Sequence, residues 1–345
     1  AGSIYHNNPN FVGLADLAVH NLDWIAEAGT RFIAQHHQKP FFLYFATTVP
    51  HGPNEDHRSW NADPRVTARG ILEEAPDVLP ARHTIPERLA AAGLDGTGKE
   101  NLLWLDDALG ALIDQLEQLD ILDNTIIFFF NDHGQHAKGT LYQGGALSPS
   151  IVWKKGGFPC GSSISTNVAN IDFAPTILDL AGVSYEPDRF DGQSFVRVLQ
   201  NEEEAAAKDR SLFFELGFAR AVIKDGYKYI AVRYPRHAVE WDAAKRADVL
   251  AQYNERRRFQ NRFIVNTDPT KPFSHLTLIP GGMEAENESY GTRTAYFEAD
   301  QLYDLEKDPE EKVNLAKDPA YRQVLEDLQS TLQTYLDDLP GTFDL

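Results

Sequence analysis

Two short apolar runs constrain the fold most. Residues 41–48 read FFLYFATT, just after Lys39-Pro40, and residues 124–134 read NTIIFFFNDHG. Each is too short and too continuously apolar for a helix with one wet face, and each suits a strand covered on both sides. Each also follows a stretch with helical spacing. Leu14, Leu17, Ala18, Leu22, Ile25 and Ala26 precede the first run, and Leu102, Leu105, Leu109, Leu112, Ile113, Leu116 and Leu119 precede the second. Two successive helix–strand units predict an α/β fold with a mostly parallel or mixed sheet flanked by helices. Its ligand crevice should lie at the carboxyl ends of the strands. A further apolar step at 150–155 and a helix over 170–181 continue the pattern.

Beyond residue 205 the pattern changes. SLFFELGF, RAVIKDGYKYIAVRY and TAYFEADQLYDL alternate apolar and polar residues between turn signals, which predicts a smaller antiparallel sheet. Tyr321, Val324, Leu325, Leu328, Leu332 and Leu336 then mark an amphipathic helix that packs on it. The expected division is therefore 1–205 for the α/β part and 206–345 for a smaller α+β part.

Charge narrows the partners. With 32 Lys and Arg against 51 Asp and Glu, the net charge of −19 repels a phosphate backbone, so no nucleic-acid partner is expected. No run approaches 18 apolar residues, so no membrane span is expected. The lone Cys160 excludes an intramolecular disulfide. An anionic ligand would need cations concentrated locally against the overall charge.

A cluster that combines metal-ligand and anion-binding residue types occurs where the second run ends. Asn131-Asp132-His133-Gly134 is followed closely by Lys138-Gly139-Thr140-Leu141-Tyr142-Gln143-Gly144-Gly145. An aspartate at a strand end can bind a divalent cation, a neighbouring histidine can coordinate or hydrogen-bond, and a lysine between glycines can present a point charge to a tetrahedral anion. The first run ends similarly, in Val49-Pro50-His51-Gly52-Pro53. Taken singly, each piece also fits an ordinary turn. Two clusters at two strand ends carry more weight.

KPFFLYFATTVPHGP, DNTIIFFFNDHG and AKGTLYQGG, followed by NIDFAPTILDLAGV, DGQSF and QLYDLEKDPEEKVNLA, together resemble the sulfatase family of the alkaline-phosphatase superfamily. The resemblance implies that Asp132 and His133 are metal ligands, and that His51 and Lys138 are catalytic and sulfate-binding. His51 would assist departure of the alcohol and Lys138 would hold sulfate oxygens. It implies a divalent metal, calcium first, with Mg2+, Mn2+ or Zn2+ as other occupants. It implies a sulfated carbohydrate or another sulfate ester as substrate, in a periplasmic or secreted setting. The last three motifs are expected to carry structure rather than catalysis.

Family members attack sulfur with a formylglycine made from Cys or Ser in Cys/Ser-x-Pro-x-Arg, and no such motif occurs in these 345 residues. Cys160 sits in FPCGSSIS, without the proline or arginine. The chain therefore reads as N-terminally incomplete, with the nucleophile expected on a preceding segment or companion chain. Residues 1–205 would then be the C-terminal part of the catalytic domain. Two alternatives stay open: a phosphodiesterase or phosphonate hydrolase of the same superfamily, whose transition metals suit His133, and a non-catalytic sulfoglycan-binding protein.

Overall fold

A computed structural model describes residues 19–51, 58–67, 69–94, 99–134, 137, 139–201, 210–234, 240–261, 264, 267–269, 295–296 and 298–345. The chain forms two compact units, Ala1–Ile126 with Lys154–Gly156, and Ile127–Trp153 with Gly157–Leu345. The boundary expected at 205 falls outside the described residues. No described helix is long and apolar enough to cross a membrane.

The first unit is built on helix α1 (Leu22–His36), helix α2 (Ile85–Ala91) and helix α3 (Lys99–Gln118). Asn21 caps α1, its side chain accepting from the Trp24 N–H. Leu22, Ala26, Ile85, Leu89, Trp104 and Ala108 share one core. The buried line of α3 runs Asn101, Trp104, Ala108, Leu112, Leu116, so it is rotated from the expected leucine stripe and leaves Leu102 exposed. The Trp104 indole sets that rotation. Its Nε1–H donates to Asp23 at 2.9 Å, and Asp23 pairs at 2.7 Å with Arg82, which stacks over the Trp104 ring. Gly29 lets α1 lie close to its neighbours, since a Cβ there would sit 2.8 Å from Leu112. A short hairpin pairs β1 (Val66–Thr67) with β2 (Gly70–Ile71).

The segment 41–48, expected as a strand, joins no ladder among the described residues. Its burial alternates: Phe41, Leu43 and Phe45 are half-buried, whereas Phe42 and Tyr44 are each 68% exposed. An apolar run records what a segment can bury, not which neighbour covers each face, and here one face is covered.

In the second unit, β3 (Ile127–Phe130) pairs antiparallel with β4 (Ser150–Trp153). Phe128 and Phe130, two residues apart and so on one face, both meet Phe173 on the helix Phe173–Leu180. All described ladders are antiparallel. Parallel pairs need strands brought alongside through crossovers, and 41–48 has no such partner among the described residues.

The C-terminal sheet is as the alternation predicts. Strands β5 (Leu212–Leu216), β6 (Ala219–Lys224), β7 (Tyr227–Val232) and β8 (Asp300–Asp304) lie in that order, antiparallel throughout. Asp225-Gly226, both at positive φ (51° and 78°), make the tight β6–β7 turn. One face, with Val222, Tyr229, Ala231 and Leu302, packs on Leu328 and Leu332 of the helix Arg322–Asp338. The other face, with Ala221, Ile230, Val232 and Tyr303, packs on Ala137, Leu141 and Tyr142. The sheet thus lies between its helix and the glycine-bracketed loop.

Burial, together with a 2.5 Å hydrogen bond to Asp300, pushes the Tyr229 phenol from 10.0 up to about 12. A raised folded-state value contributes stability that is complete below the unfolded value and is lost as pH climbs through the folded one. We expect the urea midpoint to fall between pH 10 and 12, and Tyr229→Phe to flatten that fall. An unchanged slope in the variant would refute the assignment.

Candidate active site

The end of β3 is fixed before the polar residues begin. The Asn131 N–H donates to Ser148 Oγ at 3.0 Å, and Ser148 Oγ donates back to the Asn131 carbonyl at 2.6 Å. Asp132 and His133 follow that clamp. The Asp132 side chain is 85% exposed and the His133 side chain 26%. His133 Nδ1 lies 2.6 Å from the Gly134 carbonyl, an acceptor only, so Nδ1 is the donor in that hydrogen bond. Nε2 faces Asp132 Oδ2 at 3.4 Å. A carboxylate oxygen and an imidazole nitrogen therefore lie side by side at the strand end.

Glycines fold the following loop back on this turn. The Gly134 N–H donates to the Gly145 carbonyl at 2.9 Å, and a Cβ on Gly134 would lie 2.2 Å from the Gly144 oxygen. A Cβ on Gly145 would meet the Ala137 oxygen at 2.5 Å. Gly134 and the second glycine of the Gly144-Gly145 pair are thus packing requirements. Ala137 and Gly139 both take positive φ, 61° and 83°. Lys138 and His136 lie outside the described residues, so the expected sulfate-binding role of Lys138 rests on its place in this loop.

Residues that sequence reasoning did not single out hold the loop to the C-terminal sheet. The Tyr142 hydroxyl donates to Gln301 Oε1 at 2.8 Å, and Gln301 also accepts from Tyr303. Glu311 accepts from the Gln143 N–H and pairs with Lys228. Gln301 and Glu311 belong to QLYDLEKDPEEKVNLA, which therefore supplies structure to the loop. Within the same segment Asn314 accepts from the Leu302 and Ala316 N–H groups. NIDFAPTILDLAGV and DGQSF are joined likewise. The fully buried Asp172 accepts from both Arg210 guanidinium nitrogens at 2.6 Å and from the Ala169 and Gln193 N–H groups.

His51 belongs to the first unit. Val49 is buried in the core, and the His51 N–H closes a turn onto the Thr48 carbonyl at 2.9 Å. The Thr48 hydroxyl in turn meets Nδ1 of the buried His20 at 2.9 Å. The His51 side chain is exposed at the end of that turn.

Asp132 and His133 fit a divalent cation as two of its ligands. A carboxylate oxygen and an imidazole nitrogen are an ordinary mixed donor pair, and the Gly134 carbonyl supplies the outer hydrogen bond that orients such a ligand. Among the described residues no group of three or more His, Cys, Asp or Glu side chains is placed to hold a metal.

Comparison with known proteins agrees with this layout. Residues 9–183, just over half of the chain, match the Sulfatase family, and residues 131–241 match the family described as N-sulphoglucosamine sulphohydrolase, C-terminal. The ulvan-active sulfatase of Formosa agariphila is 29% identical over 242 residues, which cover 68% of this chain and 37% of that protein. An N-acetylglucosamine-6-O-sulfatase of Bacteroides thetaiotaomicron is 37% identical over 113 residues, 31% of this chain and 20% of that one. The human N-acetylglucosamine-6-sulfatase is 30% identical over 186 residues, 47% of this chain and 32% of that one. Among solved structures, Ps i-CgsB in complex with k-i-k-neocarrahexaose has a TM-score of 0.56 at 18% identity, covering 91% of this chain and 54% of that one. The chain thus spans about a third of the first of these curated relatives and about half of the solved chain. The likeness to that structure shows a shared fold. On the motifs, the fold and the extent of the match together, this chain belongs to the sulfatase family.

Proposed function

We propose that this chain forms part of a sulfate-ester hydrolase acting on a sulfated carbohydrate. The observation that carries the reading is the Asp132–His133 pair, with Nδ1 of the imidazole donating to the Gly134 carbonyl and Nε2 turned to the carboxylate at 3.4 Å. Asp132 and His133 would hold a divalent cation, calcium or, in its place, Mg2+, Mn2+ or Zn2+. Bound there, the cation would neutralise sulfate oxygens, and a formylglycine on a segment outside these 345 residues would attack sulfur. Lys138 would bind the peripheral oxygens, where charge builds as the ester cleaves. His51, exposed at its turn, would give its proton to the departing alcohol oxygen. In this reading residues 1–205 belong to the catalytic domain, residues 206–345 form a supporting subdomain, and the protein works in the periplasm or outside the cell. The names of the relatives, which act on ulvan and on N-acetylglucosamine 6-sulfate, support a sugar sulfate as substrate.

A second reading is a phosphodiesterase of the same superfamily, favoured by the imidazole at His133, which is not a typical calcium ligand. Side-by-side hydrolysis of an aryl sulfate and an aryl phosphodiester by the complete protein separates the two. We expect the sulfate to be turned over with the higher kcat/KM. A preference for the phosphodiester would replace the first reading with the second.

A further inference from the structure

The contact between the C-terminal sheet and the Lys138 loop includes an ion pair with no access to water. Lys228, on β7, and Glu311 are both 0% exposed at the side chain, with Nζ and Oε1 2.9 Å apart. The other Glu311 oxygen accepts from the Gln143 backbone N–H, and Lys228 Nζ donates to the Gln143 side-chain carbonyl at 3.2 Å. Both members of the pair therefore grip the same residue, five positions beyond Lys138.

A buried pair is a poor device for stability alone, because desolvating two charges offsets most of their attraction and apolar residues of the same size would serve as well. It does specify orientation: a loop that moves takes the Gln143 N–H donor from the buried carboxylate and the Gln143 carbonyl acceptor from the buried ammonium. This loop has particular need of such a constraint, since Ala137 and Gly139 on either side of Lys138 in the sequence both adopt left-handed backbone. The Tyr142–Gln301 hydrogen bond provides a second tie to the same sheet.

We propose that Lys228 and Glu311 are positioning residues for the loop 137–147, fixing where Lys138 meets the sulfate group. This rests on the reading of Lys138 as a sulfate-binding residue. Neither residue touches substrate in this account. Both act through Gln143.

The test is a pair of variants in the complete protein, read by steady-state kinetics on an aryl sulfate, by inhibition with inorganic sulfate and by amide hydrogen exchange. Glu311→Gln removes the charge and keeps the shape. Lys228→Met with Glu311→Leu removes both charges and keeps an apolar fill, which guards against loss through unfolding. In the double variant we expect a thermal midpoint near that of the parent, with KM and the sulfate inhibition constant raised about tenfold or more by the displaced lysine. Faster exchange should be confined to the amides of residues 139–147. A folded double variant with parental KM, sulfate inhibition and loop exchange would overturn the proposal. Lys138→Ala separates it from the functional reading. If that change leaves sulfate affinity intact, the role of Lys138 fails, and the positioning role as proposed fails with it; loop exchange then reports only whether the pair anchors the backbone. If Lys138→Ala weakens sulfate binding while the double variant does not, only the positioning role fails.

Discussion

Asp132→Ala in the complete enzyme is expected to lower kcat/KM for an aryl sulfate about a hundred- to thousandfold, the usual scale for losing one main stabiliser of developing charge. The loss should come without unfolding. The Asp132 side chain is 85% exposed, and His133 Nε2 next to it lies 3.4 Å from its carboxylate. Replacement of such a residue shifts stability by no more than about 0.5 kcal/mol. His133→Ala should act in the same direction, because Nε2 is the second donor and the ring is held by the Gly134 carbonyl. Elemental analysis after dialysis gives the independent check: each variant should retain less divalent metal than the parent. Full activity in Asp132→Ala would remove this residue from the site.

Asp172→Ala is expected to destabilise the protein by about 3–5 kcal/mol, the scale for removing one partner of a buried ion pair. The carboxylate is fully buried and accepts from both nitrogens of Arg210 and from two backbone N–H groups. Its removal leaves the guanidinium, 15% exposed, without its countercharge, and deprives the Ala169 and Gln193 amides of their acceptor. The close fit around it allows little repair: a Cβ on Gly192 would lie 2.0 Å from the Ile171 oxygen, so the two segments are already in contact. Pairing the change with Arg210→Met should recover part of the loss, since an uncompensated charge is then absent. Urea unfolding measures both. A cost under about 1 kcal/mol for Asp172→Ala would mean that the segment relaxes and that the pair does not hold it.

The periodic parts of this fold were legible in the sequence. Helix α3 and the helix Arg322–Asp338 follow from apolar residues at three- and four-residue spacing, and β6–β7 follows from alternation around Asp225-Gly226, whereas of the stripe preceding residue 41 only Leu22, Ile25 and Ala26 fall in α1, Leu14, Leu17 and Ala18 lying outside the described residues. Residues 41–48 were harder to read, because continuous hydrophobicity does not say which neighbours lie on each side. The α3 stripe was rotated for a related reason: Trp104 is drawn inward by a bond to Asp23, 81 residues away. At the candidate site, Asp132 and His133 drew notice because a carboxylate and an imidazole side by side at a strand end are a local pattern. Lys228 and Glu311 did not. Glu311 reaches Gln143 across 168 residues, and a Lys and a Glu so placed look like two solvated surface charges. The motif residues Gln301 and Asn314 were visible as parts of a signature, but their use in hydrogen bonds to Tyr142 and to backbone could not be read from composition.

The measurement closest to the core of this account is a crystal structure of the complete protein grown with a divalent cation and sulfate, with the metal located by anomalous scattering. The account predicts one metal bound by the Asp132 carboxylate and His133 Nε2, and beside it one sulfate with the Lys138 ammonium and the His51 imidazole at about 2.7–3.2 Å. A metal bound elsewhere, or a sulfate that His51 and Lys138 do not touch, would contradict it.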